Sequence, residues 1–177
     1  MELLHDFGKP GTRTTDEKGI DHFRGHPEES YLIAKEVLKR LKYDNETFRK
    51  VTTLVRYHDL RMRLTEPAVR KAIVRIGEDL FPLYLEIQHA DTMAQSLYQR
   101  DDKLAYTAEL EMIYDRIMFR GDCLSLKDLA VNGSDIIAAG VRPGREVGSI
   151  LAQMLEEVLN VPEHNDREYL MRCFVKT

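Results

Sequence analysis

Apolar residues recur at three- and four-residue intervals along most of the chain, and this is the spacing of one face of an α-helix. Asp44 or Asn45 is expected to cap one of the helices. Together the regularly spaced apolar residues predict helices over residues 27–42, from the cap to about residue 58, and over residues 68–76, 78–97 and 102–119. The first two thirds of the chain therefore indicate a series of amphipathic helices, with a stop at Gly121.

The last third of the chain carries shorter predicted helices with polar residues at their starts. Two tetrapeptides have the form of a capping box, namely Ser125–Asp128 and Asn165–Glu168, and Asn132–Asp135 is expected to start a short helix. Helices are predicted from Asn132–Asp135 to Gly140, over residues 146–159, and from the second box to Phe174. Since no segment alternates between apolar and polar residues, the predicted fold class is all-α. We expect a helical domain over residues 1–121 and a helical tail over residues 122–177.

Composition narrows the classes to which the protein can belong. The 177 residues include 26 Lys and Arg and 30 Asp and Glu, which gives a net charge of −4, and 43% are hydrophobic. Such a chain is neither disordered nor collagen-like, and it is long enough for a buried core. It lacks the run of about 20 apolar residues that a membrane span needs. Its first ten residues also lack the features of a secretory signal, so we expect a cytoplasmic protein that does not enter a membrane.

The small net charge conceals a basic stretch in the middle of the chain. Eight Lys and Arg residues lie between Arg49 and Arg75, against only Asp59 and Glu66. Two interpretations stay open, because charged residues commonly cover a solvated helix face, whereas a basic patch attracts phosphate. Under the second interpretation the candidate phosphate- or RNA-binding residues are Arg56, Arg61 and Arg63.

The segment LLHDFGKP at residues 3–10 carries the strongest signal for chemistry. It places an imidazole and a carboxylate side by side, at His5 and Asp6, just before a glycine. A divalent metal ion needs several such nitrogen and oxygen ligands that converge from different elements, so a single pair is a weak signal. Further candidates occur at or near predicted helices, namely His22, His26, His58, Asp59 and Asp91.

Taken in order along the chain, these segments resemble the HD superfamily of metal-dependent phosphohydrolases. They are most similar to the C-terminal part of bacterial CCA-adding tRNA nucleotidyltransferases, and the resemblance covers nearly the whole chain. It rests on LLHDFGKP, TTDEKGIDHFRGH, LKYDNETFRKVTTLVRYHD, AVRKAIVRIGEDLFPLYLEIQHADTMAQS, DCLSLKDLAVNGSDIIAAGVRPGREVGSILAQMLEEVL and NDREYL. The resemblance implies an HD-domain-like helical bundle with a short C-terminal helical tail, and a role in tRNA processing.

The resemblance also implies which residues would hold a metal ion. The family's histidine–aspartate pair matches His5 and Asp6, and its distant aspartate matches Asp91. The histidines that some members add for a second metal match His26 and His58. The cofactor would be a divalent ion of Mn, Fe, Zn, Ni, Co or Mg, which would activate water for attack on a phosphate ester.

Three further residues have roles that depend on this assignment. Lys9 matches the lysine that often follows the pair in the family, and we expect Lys9 and Asp6 to be catalytic, with Lys9 on a substrate phosphate. Asp59 would orient His58 or would cap a helix end. His22 is expected to be mainly a structural or surface residue, and it is a reserve ligand because it lies four residues before His26.

The chain departs from the family pattern in two respects. The family's first histidine lies upstream of the pair, and only four residues precede His5. The nucleotidyltransferase head uses paired carboxylates after a Gly-Ser, and the sequence after Gly148–Ser149 is ILAQMLEEVL instead. We therefore expect that the chain does not add nucleotides on its own.

Three functions remain in competition. The first is a phosphohydrolase that acts on a phosphate ester of a nucleotide or an RNA end. The second is a catalytically inert body and tail that bind tRNA, in which Arg142 and Arg145 either contact RNA or belong to a packing module. The third is a fragment that needs a partner. In the third case Leu3 and Leu4 would mark a truncated helix, and the exposed surface would form a homodimer.

Overall fold

The computed structural model describes residues 4–95 and 97–175, and within them the chain forms nine α-helices and one very short hairpin. The elements are α1 (Lys9–Thr12), β1 (Thr14–Thr15), β2 (Asp21–His22), α2 (His26–Arg40), α3 (Asn45–Tyr57), α4 (Glu66–Ile76), α5 (Phe81–Ala94), α6 (Arg100–Arg120), α7 (Gly133–Ala138), α8 (Arg145–Asn160), a 3-10 helix (Pro162–His164) and α9 (Arg167–Phe174). The all-α prediction is confirmed.

The chain divides into two compact units that are not continuous in sequence. The first unit comprises the residues up to Arg61 together with Asp79–Thr107, and the second comprises Met62–Glu78 together with the residues from Ala108 onwards. The predicted division into residues 1–121 and 122–177 stays a prediction. Leu3 and the predicted helical residue Ser96 lie outside the described residues.

In the first unit, α2 and α3 pack against each other as a helical hairpin. The Asp44 side chain accepts a hydrogen bond from the Thr47 backbone amide, so Asp44 is the cap of α3 and Asn45 is its first residue. The helix interiors are apolar, with Ala34, Leu54 and Val55 fully or almost fully buried. This hairpin brings the first residue of α2 close to the residue that follows α3.

A small antiparallel hairpin precedes α2, and the sequence pattern did not predict it. Thr14 pairs with His22 and Thr15 with Asp21. The Asp16 carboxylate closes the connecting turn by accepting the Lys18 and Ile20 amides, both at 2.9 Å. Each strand has only two residues, which is too few for an alternation of apolar and polar residues to be visible in the sequence.

In the second unit, α8 packs against α4, α7 and α9. Its core includes Val131, Ile136, Met154, Val158 and Leu170, all 1% exposed or less. The sequence patterns that predict helices agree with the structure in this unit because each involves hydrogen bonds between residues two to four positions apart.

Among the described residues, no helix is long and apolar enough to cross a membrane.

The two predicted capping boxes and the predicted helix start at Asn132 have different outcomes. The start at Asn132 is confirmed, and Asn132 and Asp135 form a capping box at the start of α7. In the second predicted box, the cap is Asp166, which accepts the Tyr169 amide. In the first, Ser125 donates its amide and its hydroxyl to Asp128, but no helix follows. Gly121 has a φ of +66° just after α6, which confirms the predicted stop.

One member of the basic stretch is buried in the second unit. Arg70 is 3% exposed, and its guanidinium donates to the Asp122 carboxylate at 2.7 Å, to the Leu159 carbonyl at 2.8 Å and to Glu66 at 3.0 Å. Neither interpretation of the basic stretch anticipated a buried arginine, so for this residue both were wrong. Its charge serves the fold of the second unit.

Candidate metal centre

The histidine–aspartate pair lies in a turn immediately before α1, and Gly8 holds that turn against α2. The Gly8 amide donates to the buried Ser30 hydroxyl at 2.9 Å. A Cβ atom at Gly8 would come within 2.8 Å of the His26 carbonyl, the Ser30 amide and the Glu29 side chain. Only glycine permits this approach, and the approach brings His5 and Asp6 to the start of α2.

Three candidate ligand atoms converge next to this turn. His26 is the first residue of α2 and His58 directly follows α3, and their Nε2 atoms are 3.1 Å apart. The Asp6 Oδ1 atom lies 3.6 Å from the first Nε2 and 3.7 Å from the second. Both imidazoles are 7% exposed. These three residues form a group whose ligand atoms all lie within 4.8 Å of one another, as a metal site requires.

The backbone fixes the orientation of both imidazoles. His26 Nδ1 lies 2.9 Å from the Phe23 carbonyl, and His58 Nδ1 lies 2.7 Å from the Val55 carbonyl. A carbonyl only accepts, so we assign the proton of each neutral ring to Nδ1, which leaves a lone pair on each Nε2. Burial lowers the pKa of His58 and favours its neutral form.

The Asp6 Oδ1 atom is buried, and it has no hydrogen-bond partner among the described residues. Buried polar atoms are nearly always paired, because an unpaired acceptor loses its water without compensation. Here a carboxylate oxygen and two imidazole lone pairs face one another at close range. Without a proton or a cation between them they repel, so the donor set fits a divalent ion of the imidazole-binding kind.

The other oxygen of Asp6 faces a second group of polar side chains. Lys9 Nζ lies 2.6 Å and His5 Nε2 3.4 Å from Asp6 Oδ2, and His5 Nε2 lies 3.9 Å from Asp91 Oδ1. Burial alone raises the pKa of Asp6, but the Lys9 hydrogen bond and the charges of His5, Lys9 and His58 hold it below its ordinary value. The five residues predicted as ligands are thus neighbours, with Asp6 between the two groups.

Several supporting residues could not be identified from the sequence. Ser30 holds the Gly8 turn, and Gln88 of α5 donates its amide to the His58 carbonyl. Gln88 precedes Asp91 by one helical turn, so the two share a face of α5. That spacing is a signal in principle, but nothing in the sequence shows which histidine the face meets.

The two secondary candidates have different outcomes. His22 has the structural role that was expected first and not the reserve role as a ligand, because it belongs to β2, where its Nε2 lies 3.0 Å from Asp16, and not to the converging group found among the described residues. Asp59 is exposed, and the Nδ1 atom that it was expected to orient contacts the Val55 carbonyl instead. A backbone acceptor carries no sequence signature, which explains why it was missed.

The three predicted RNA-binding arginines are all exposed, but their surroundings differ. Arg56 forms an ion pair with Glu28 at 2.9 Å and lies over the Tyr31 ring. Arg61 lies over the Tyr106 ring at 4.9 Å. Arg63 belongs to the second unit. The charge of Arg56 is therefore compensated in part, which makes it the weakest of the three candidates for binding phosphate.

Comparison with known proteins points to tRNA metabolism. A family model described as tRNA nucleotidyltransferase domain 2 matches residues 27–174. The CC-adding tRNA nucleotidyltransferase of Thermus thermophilus is 33% identical over 156 residues, which cover 87% of this chain and 34% of that protein. The chain thus spans about a third of the length of this relative. No solved structure gives a significant match. The family match includes His58 and Asp91 but begins after Asp6 and His26.

Proposed function

Because the chain belongs to the tRNA nucleotidyltransferase domain 2 family, we propose that it acts on tRNA, as a helical body that binds the RNA. The observation that carries this proposal is the family match, which extends over residues 27–174 and so includes parts of both units. A relative named as a tRNA nucleotidyltransferase supports the same RNA class. Work on tRNA would place the protein in the cytoplasm.

Arg61 and Arg63 are the phosphate contacts that we propose first. Both side chains are exposed, and a guanidinium suits a phosphate because it presents several donors in one plane. An arginine that lies over a tyrosine ring, as Arg61 does, also resembles the stacked arrangements that proteins use against single-stranded RNA. Arg56 would contribute less, since Glu28 competes for its charge.

Fluorescence anisotropy with labelled tRNA at several salt concentrations tests this proposal. Arg61→Glu and Arg63→Glu should each weaken binding and flatten its salt dependence, because each phosphate contact adds about 0.7 to 0.9 to the magnitude of the slope of log K against log salt. Arg40→Glu, at the exposed end of α2, is the matched control and should change neither. If tRNA binding does not depend on the salt concentration, or if all three variants lose affinity equally, these arginines do not make specific contacts with the RNA.

A second candidate function is metal-dependent hydrolysis of a phosphate ester at an RNA or nucleotide end. The specific observation in its favour is the buried Asp6 Oδ1, which has no hydrogen-bond partner within residues 4–95 and 97–175 and lies opposite two imidazole nitrogens. Asp6, His26 and His58 would hold the ion, and His5 and Asp91 would extend the site from the Oδ2 side of Asp6. When bound, a divalent ion would lower the pKa of water and polarise phosphoryl oxygens.

The protein's own side chains have definite roles in this second function. Asp6 would hold the ion and keep its negative charge, since its pKa is lowered. Lys9 would donate to a phosphate oxygen of the substrate and offset its charge, because its ammonium already lies at the edge of the cluster. The backbone carbonyls of Phe23 and Val55 would keep both imidazoles in the tautomer that binds a cation.

Metal analysis and calorimetry with Mn²⁺ test the metal centre, and hydrolysis of 2′,3′-cyclic AMP tests the activity. His26→Ala and Asp6→Asn should lower the affinity for Mn²⁺ by about 10- to 100-fold or more. His89→Ala is the matched control, because His89 is an exposed histidine of α5. Retention of wild-type Mn²⁺ affinity in His26→Ala would refute the metal centre. Metal binding without hydrolysis would leave the tRNA-binding body as the function.

A further inference from the structure

Residues 58–61 form a short turn after α3, which we call the α3 turn, and it carries one candidate residue of each proposed site. Its first residue is His58, a candidate metal ligand, and its last is Arg61, a candidate phosphate contact. The Leu60 amide donates to the Tyr57 carbonyl at 2.9 Å, which folds the turn against the end of α3. The Cα atoms of His58 and Arg61 are at most about 11 Å apart, because three peptide units separate them. The backbone that positions one residue therefore also positions the other.

Two buried side chains of α5 hold the backbone of the α3 turn. The Tyr84 hydroxyl donates to the Leu60 carbonyl at 2.7 Å, and the Gln88 amide donates to the His58 carbonyl. Tyr84 is fully buried and Gln88 is 5% exposed. The two residues are four positions apart and so lie on one face of the helix. Carbonyls at and beyond a helix end have no helical amide from which to accept a hydrogen bond, so these two donors take the place of the missing amides.

The side chains at the two ends of the α3 turn are fixed as well. The His58 ring is held by the Val55 carbonyl, 2.7 Å from its Nδ1 atom. The Arg61 guanidinium lies over the Tyr106 ring of α6 at 4.9 Å, so Arg61 leaves the turn in a defined direction. Burial raises the pKa of Tyr84, so its hydroxyl keeps the proton that it donates to the turn. All of these residues belong to the first unit.

We infer that Tyr84 and Gln88 are positioning residues for both candidate sites, which share the α3 turn as a common support. Each acts through a backbone carbonyl, one at His58 and the other next to Arg61. Loosening the turn therefore disturbs the metal centre and the RNA contact together. This inference rests on the proposed function for the two ligands, a divalent ion and tRNA, but the fixed orientation of His58 is a property of the protein alone.

Tyr84→Phe and Gln88→Leu test the inference, since the first removes only a hydroxyl and the second replaces the donor by an apolar side chain of similar size. Each should lower the affinity for Mn²⁺ in calorimetry and for labelled tRNA in fluorescence anisotropy by about two- to twelvefold, which is the equivalent of one lost hydrogen bond. Tyr43→Phe is the matched control and should change neither affinity, because Tyr43 is an exposed tyrosine that precedes α3. Melting temperatures check that each variant is folded where it is measured.

NMR gives a readout that needs no ligand. Long-range ¹H–¹⁵N spectra of the metal-free protein at a fixed, mildly alkaline pH report which ring nitrogen of His58 carries the proton. The wild type should show the Nδ1–H form, since Nδ1 lies beside the Val55 carbonyl. Both variants should also populate the Nε2–H form, because a loosened turn lets the ring leave that carbonyl. A substitution that only reduces overall stability would leave the tautomer of the folded protein unchanged.

The outcomes are distinct. Mixed tautomers together with losses of both affinities support the inference. If the wild type binds no Mn²⁺, or no tRNA, that proposed function alone falls, and the tautomer together with the remaining affinity decides the inference. A wild-type tautomer in Tyr84→Phe, the variant that best preserves the core, overturns it. So does the loss of one affinity in both variants while the other affinity keeps its wild-type value.

Discussion

The two units differ in whether their buried charged groups have hydrogen-bond partners. In the second unit, the buried Arg70 guanidinium has three acceptors, and the Asp122 carboxylate receives both Arg70 and Arg120. In the first unit, Asp6 Oδ1 is buried without a hydrogen-bond partner among the described residues, and it faces two imidazole nitrogens. A fully paired buried group is explained by the fold alone, whereas an unpaired one calls for a ligand.

The largest effect is expected from breaking the paired cluster. Arg70→Met should lower the free energy of unfolding by about 3–5 kcal/mol, because it removes the buried partner of the Leu159 carbonyl and leaves Asp122 and Glu66 paired with the exposed Arg120 rather than with Arg70. Urea denaturation measures this. The control is Arg75→Met, an exposed arginine of the same helix, which should stay within about 0.5 kcal/mol of the wild type. A small loss of stability in Arg70→Met would mean that the second unit does not depend on the hydrogen-bonded pairing of Arg70.

The unpaired cluster should behave differently, because its stability should respond to a ligand. Mn²⁺ at one hundred times its dissociation constant should stabilise the wild-type protein by about 2.7 kcal/mol. Asp6→Asn should lose this gain. Without metal, the same substitution should cost little, since it removes a charge that faces two lone pairs and weakens only the partly exposed contacts with Lys9 and His5. A large loss of stability in metal-free Asp6→Asn would show that this cluster also serves the fold.

The glycine that positions the first cluster provides a steric test. Gly8→Ala should destabilise the protein by about 1–3 kcal/mol, since its Cβ would collide with the backbone of α2. It should also weaken Mn²⁺ binding, because the collision moves Asp6 away from His26. Gly11→Ala is the control, as a Cβ there meets nothing within 4 Å. Equal Mn²⁺ affinities in the two variants would show that the turn does not position Asp6.

The smallest expected effect is the change in the stability of the second unit with pH. Burial alone raises the pKa of Asp122, but hydrogen bonds from Arg120 and Arg70 hold it below its ordinary value. The Arg120 hydrogen bond also lowers the pKa of Glu66. A carboxyl with a lowered folded pKa adds stability that is complete above its unfolded pKa, near 4, and is lost as the pH falls through the folded pKa.

Stability measured by urea between pH 6 and pH 3 should therefore decline towards acid. Each pH unit between the unfolded and the folded pKa contributes about 1.4 kcal/mol to this loss of stability. Asp122→Asn should give a flatter profile, whatever its absolute stability, because the titrating group is gone. An identical acid slope in this variant would assign the decline to other carboxyls.

The site was predictable in its residue types and only partly in its arrangement. The motifs alone offered His22 and Asp59 as candidates beside the five ligands that the family resemblance implied, and the structure brings those five, His5, Asp6, His26, His58 and Asp91, close together. The motifs could not separate His26 from His22, because both precede or begin α2. The difference arises because the hairpin turns His22 towards Asp16, while α2 begins with His26 facing α3.

The sequence by itself determined the longer helices, a cap at Asp44 or Asn45, a helix start at Asn132, and the chemical nature of the candidate ligands. These features depend on hydrogen bonds and side-chain spacing within about four residues, so a local pattern contains them. Tertiary structure alone decided that Arg70 is buried and paired, that Val55 rather than Asp59 orients His58, and that one Asp6 oxygen has no hydrogen-bond partner in the part of the chain that the structure describes. Burial and pairing depend on packing between segments tens of residues apart, and no local pattern encodes that packing.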